Sequence, residues 1–172
     1  MYPKKIMKNY RWFIYGTMIF MPILNGCKPE KTSSGCLLNV LKKGAKIAEI
    51  KDENVHFTIS KEWLKADVFS LVKQMEKISN QYSDTLILNR IEVVKDGDEY
   101  IMLAEGLRGN DKAITMGIYL ERNKNDLLIS AKPIEGCLGS HCSKCKLNKG
   151  KGCSCEQTGN CDHIVLEVPF LL

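Results

Sequence analysis

Between Cys137 and His163 the chain carries six of its eight cysteines and two of its three histidines. They are Cys137, His141, Cys142, Cys145, Cys153, Cys155, Cys161 and His163, set in a background of Gly, Ser, Lys and Asn. Such a segment has almost no apolar side chain to bury, so covalent or metal cross-links must hold it. Disulfides are the leading reading if the chain meets an oxidising compartment, although spacing alone selects no pairing. A structural Zn²⁺ is the second. Cys142-x-x-Cys145 and Cys153-x-Cys155 each offer two thiolates, with Cys137, His141, Cys161 and His163 as alternative ligands. Lys144, Lys146, Lys149 and Lys151 would offset the charge of a four-thiolate site. An iron–sulfur cluster would use the same sulfurs and ranks last, because an exposed, exported segment suits it poorly. Zinc is thus the one cofactor implied, and only where disulfides do not form.

Sharper readings of the same residues fail on detail. Lys146, not His, follows Cys145, which argues against covalent haem attachment. Cys161-Asp162-His163 supplies one Rieske-like pair with no second. A thioredoxin-type centre places its Cys-x-x-Cys between a strand and a helix, whereas this one lies among glycines and other thiols. Elsewhere there is no P-loop, dinucleotide fingerprint, nucleophile elbow or His-Glu-x-x-His, so an enzyme is not expected. His56 sits among apolar neighbours and reads as a core or surface histidine rather than a ligand. Lys73, Glu76 and Lys77 read as the solvated side of a helix, and Arg90 and Arg108 have no partner in view.

The elements that must position this segment are legible upstream. Residues 55–59 alternate like a half-buried strand. Ser60 then stands as an N-cap with Glu62 in the first turn. Trp63, Leu64, Val68, Leu71, Val72, Met75 and Ile78 follow at spacings of three and four, an apolar stripe that Asn80 and Ser83-Asp84 end. Beyond it the period becomes two. Segments 86–94, 100–107, 114–120 and 127–131 are joined by polar turns, Asp96-Gly97-Asp98 the clearest. The expected fold class is α+β: an antiparallel β meander packed against one main helix, with a cysteine-rich loop before the last strand. The expected organisation is a signal at 1–26, a lipidated Cys and tether at 27–45 and an α+β domain at 46–135. A cysteine-rich segment at 136–163 and a final strand at 164–172 complete it. The apolar cluster Leu37-Leu38-Val40-Leu41 reads equally as a helical turn or a strand, and Cys36 is left over from any even pairing.

The N-terminus carries an address. Lys4, Lys5, Lys8 and Arg11 precede an apolar run from Trp12 to Leu24, and Leu24-Asn25-Gly26-Cys27 closes it. The run is about 13 residues against the ~20 that a membrane-spanning helix needs. This closing sequence resembles the lipobox of bacterial lipoproteins, with Asn25 a less usual occupant of its position. The resemblance implies a diacylglyceryl group on the Cys27 sulfur, cleavage before Cys27, acylation (palmitate is typical) of the new amino terminus and residence in the bacterial cell envelope. Several acyl chains hold a protein durably where one does not. Lys28 rather than Asp after the cysteine favours the outer membrane in a cell that has one. The cysteine-rich ending also resembles, loosely, those of exported Bacteroidetes proteins, a likeness that implies no activity.

Cleavage would remove four bases and no acid, taking the net charge from +5 to +1. The basic balance is therefore a targeting feature, and a nucleic-acid partner is not expected. The expected role is a membrane-anchored binding or structural protein presenting a cross-linked loop to envelope protein or glycan. The alternative is a redox or metal-binding protein whose Cys/His cluster is the working element.

Overall fold

A computed structural model describes residues 41–109, 112–156 and 158–167. The signal, Cys27, the tether, Cys36, residues 37–40 and the last residues of the final strand lie outside the described residues.

Lys46–Lys51 (β1) and Asn54–Phe57 (β2) form a hairpin. Its two turn residues, Asp52 and Glu53, both take positive φ, as a turn matching the strand twist requires. Lys61–Ser79 forms the helix (α1). The Ser60 side chain accepts from the Trp63 amide at 3.3 Å, and Asn80 closes the helix in the left-handed conformation. Leu86–Asp96 (β3), Glu99–Arg108 (β4), Lys112–Asn123 (β5) and Asp126–Ile129 (β6) are the meander. Ile134–Ser140 (β7), Cys145–Asn148 (β8), Gly152–Cys155 (β9) and Asn160–Leu166 (β10) complete the chain.

Every pairing is antiparallel, and β5 is the axis. Along one edge it pairs with β4. Its other edge is shared: 114–117 pair with β7, which carries β10, while 120–123 pair with β6, which carries β1 and then β2. The expected class stands: one helix against an antiparallel meander, with the cysteine-rich segment before the last strand. That segment is not all loop. It takes in most of β7, the separate β8–β9 hairpin and the start of β10, which begins at Asn160 rather than at 164.

Side chains alternate across a sheet, so β5 shows two faces. Ile114, Met116, Ile118 and Leu120 join Leu64, Val68, Leu71, Val72 and Met75 of the helix in the main core, with Met102, Leu138, Ile164 and Leu166. Trp63 and Ile78, the ends of the expected stripe, are exposed. Ala113, Thr115, Gly117 and Tyr119 point the other way, yet 113–120 are buried throughout. Something other than the helix covers that second face.

Two expectations about charge are corrected here. Glu76 is fully buried rather than solvated, and Arg108 is 1% exposed. Arg108 Nη1 lies 3.4 Å from Glu76 Oε1 and donates to the Gln81 carbonyl, while Nη2 donates to the Gly139 carbonyl at 3.0 Å. Lys73 Nζ, on the helix surface, reaches Glu76 Oε2 at 2.8 Å. This network ties the helix end to β4 and β7, and its charges share partners as buried charges must.

Candidate functional site

The cover of the second face is the β8–β9 hairpin. Four backbone pairs, from Cys145↔Cys155 to Asn148↔Gly152, hold it to itself. Thr115 Oγ1 donates to the Cys145 carbonyl at 2.7 Å, and the Ala113 amide donates to that of Cys142 at 2.8 Å. Gly117 makes room for Leu147, whose Cδ2 would lie 2.6 Å from a Cβ at that position. Gly159, at φ +138°, lets the chain pass the His141 carbonyl, 2.2 Å from where a Cβ would stand.

Three disulfides fasten the hairpin. Cys137 of β7 joins Cys153 of β9, Cys142 of the preceding loop joins Cys155 of β9, and Cys145 of β8 joins Cys161 of β10. Cys137, Cys142 and Cys145 are buried, with Ala113 and Leu147, in a small second core; Cys153, Cys155 and Cys161 are half-exposed. All six candidate cysteines are thereby paired.

The four-thiolate set inferred from spacing does not gather. Cys153 is bonded to Cys137, drawn away because its strand position faces β7. The sulfurs that come together are those of Cys142, Cys145 and Cys161, all within 4.8 Å of one another, a group that could hold a metal only if reduced. His141 is exposed at φ +58° and, like His163, stays outside this group. His56 is exposed on β2.

His163 belongs to a different feature. Between the hairpin turn and the sheet lies a cleft of about 770 Å³, lined by Tyr119, Lys132, Glu135, Lys149, Lys151 and His163 among others. Glu135 is its hub: the Tyr119 hydroxyl donates to Oε1 at 2.5 Å, and His163 Nε2 lies 2.9 Å from Oε2. Burial and the Glu135 acceptor hold the Tyr119 hydroxyl well above the usual tyrosine range. At the rim Lys132 and Lys149 both pair with Glu99, whose carboxyl they hold below the usual carboxylate range. The arrangement can orient a polar ligand by hydrogen bonds and attract negative charge through Lys151 and the rim lysines.

Tyr119 and Glu135 were not legible as site residues, because they come from strands that meet only through the β5–β7 pairing. Glu76 did leave a signal: Val68, Val72 and Glu76 continue one helical row, so its carboxylate had to face the core. No family model, curated protein or solved structure matches this chain. Among the described residues, no helix is long and apolar enough to cross a membrane.

Proposed function

We propose that this protein is an exported lipoprotein, held on a bacterial membrane by lipid on Cys27, whose disulfide-clamped face and cleft bind an envelope glycan or protein. The observation that carries the reading is the clamp itself. Three cross-links close a face that has too little apolar surface to close by burial, and disulfides persist in oxidising, extracytoplasmic compartments. The lipobox at Leu24-Asn25-Gly26-Cys27 supports the same location. A cleft beside the clamp that presents Tyr119, Glu135, Lys151 and His163, on a domain without catalytic motifs, supports binding rather than turnover. The wild-type chain should fractionate with membranes and incorporate labelled palmitate, and Cys27→Ser should move into the soluble fraction unlabelled. A Cys27→Ser protein that stays membrane-bound overturns the lipid anchor.

The second reading is a redox or metal-binding protein, favoured by the three sulfurs of Cys142, Cys145 and Cys161 within 4.8 Å. In a reduced chain these, with Cys155, would offer thiolates to Zn²⁺. About one zinc per purified chain, lost in Cys161→Ser, would replace the first reading with this one.

A further inference from the structure

The three disulfides are not equivalent. Cys161 Sγ lies 3.4 Å from Cys142 Sγ, so the Cys142–Cys155 and Cys145–Cys161 bridges touch sulfur to sulfur. Among the described residues, the close group of sulfurs takes in neither Cys137 nor Cys153. All three bridges join a half-exposed cysteine, Cys153, Cys155 or Cys161, to a buried one, Cys137, Cys142 or Cys145, so the sulfur contact is what sets two of them apart. A thiolate attacking from solvent must strike the exposed sulfur and expel the buried one.

We infer that Cys142, Cys145, Cys155 and Cys161 form a disulfide-rearrangement centre that an entering thiolate, either a small thiol or a partner's cysteine, sets going and leaves unchanged. The inference rests on the oxidised, exported reading above. The incoming thiolate bonds to Cys155 Sγ and the Cys142–Cys155 bond breaks, leaving Cys142 as thiolate. Cys142, already against Cys161, bonds to it; the Cys145–Cys161 bond breaks and Cys145 leaves as thiolate. Cys145 and Cys155 are direct partners in the hairpin register. Cys145 therefore attacks Cys155 Sγ, and the original thiolate is released. Two disulfides enter and two leave, so no electrons are gained or lost.

The product differs in what it ties. Cys145–Cys155 lies within the hairpin, and Cys142–Cys161 joins the preceding loop to β10. Of the three bonds that clamped this segment, Cys137–Cys153 alone would still bind hairpin to sheet. Exchange thus unfastens the hairpin base while leaving fixed the end that borders the cleft, where Cys153 lies.

The test treats the purified full chain with catalytic glutathione, quenches with acid and alkylating reagent, and maps cross-linked peptides by mass spectrometry. The expected result is growth of Cys142–Cys161 and Cys145–Cys155 peptides with Cys137–Cys153 unchanged. In Cys155→Ser, the free thiol should be found on Cys145 rather than Cys142. A map that stays as it began, or one in which Cys137 and Cys153 exchange equally fast, overturns the rearrangement centre and leaves the clamp intact. Six free thiols before any glutathione is added would overturn the clamp itself.

Discussion

The two faces of this sheet are closed by different physics. On one, a capped helix lays Leu64, Val68, Leu71, Val72 and Met75 on the apolar side chains of β4, β5, β7 and β10. That closure is driven by removing large apolar surface from water. On the other, the cover offers only Leu147 and cysteines against Ala113, and three disulfides supply what burial does not. A face closed by burial can carry its charged anchor inside, as Arg108 and Glu76 show. A face closed by cross-links can stay polar outside and keep a cleft lined by Tyr119, Glu135 and His163.

The largest expected effect is on the helix face. Arg108→Leu leaves the buried Glu76 carboxylate with Lys73 as its one charged partner beside the Ser83 hydroxyl, and breaking such a pair costs about 3–5 kcal/mol. Urea unfolding would read it, and a loss below 1 kcal/mol would show that the pair is not a true anchor. Next is the clamp. Cys137→Ala with Cys153→Ala opens a loop spanning 16 residues, worth about 3 kcal/mol. The difference between faces should appear in hydrogen exchange: amides of β8 and β9 lose protection while those of α1 keep theirs.

A glycine on each face sharpens the contrast. Gly136→Ala would place a Cβ 2.2 Å from Met75 Sδ on the helix face. Gly117→Ala would place one 2.6 Å from Leu147 Cδ2 on the hairpin face. Both neighbours are side-chain atoms that can give way, so each change costs about 1–3 kcal/mol. The cost of Gly117→Ala should vanish once a reductant frees the hairpin; that of Gly136→Ala should persist. Equal behaviour of the two variants would erase the distinction between the faces.

The smallest effect is a titration. Tyr119 ionises above its ordinary value of 10.0, so its contribution to stability is present below that pH and is lost as the pH rises toward its shifted value. In an ultraviolet titration Tyr119 should ionise above the ordinary tyrosine range, a shift that Glu135→Gln should reduce.

What was legible in the sequence follows the same division. The helix was readable to within a residue, because Ser60, Asn80 and the apolar rows are local signals. The β3–β6 meander was readable because Asp96-Gly97-Asp98 and Asn123-Lys124-Asn125-Asp126 punctuate alternating runs. β1 was hidden, since Asp52-Glu53 is not a usual hairpin pair. β7 was hidden because Gly136, Cys137, Gly139 and Ser140 have little strand preference of their own; pairing with β5 and β10 imposes it. Cross-linking is legible in the cysteine count, but the pairing depends on which element each cysteine lies against, which spacing does not encode. Arg108 has no partner legible in the sequence because Glu76 lies 32 positions away, on another element.

The clamp is tested most directly by a disulfide map of the full chain isolated from an oxidising compartment, alkylated in acid before digestion and with no thiol added. The expected map holds three linked pairs, Cys137–Cys153, Cys142–Cys155 and Cys145–Cys161, with no thiol left among the six. Free thiols at these positions, or a bridge within Cys142-x-x-Cys145, would contradict it.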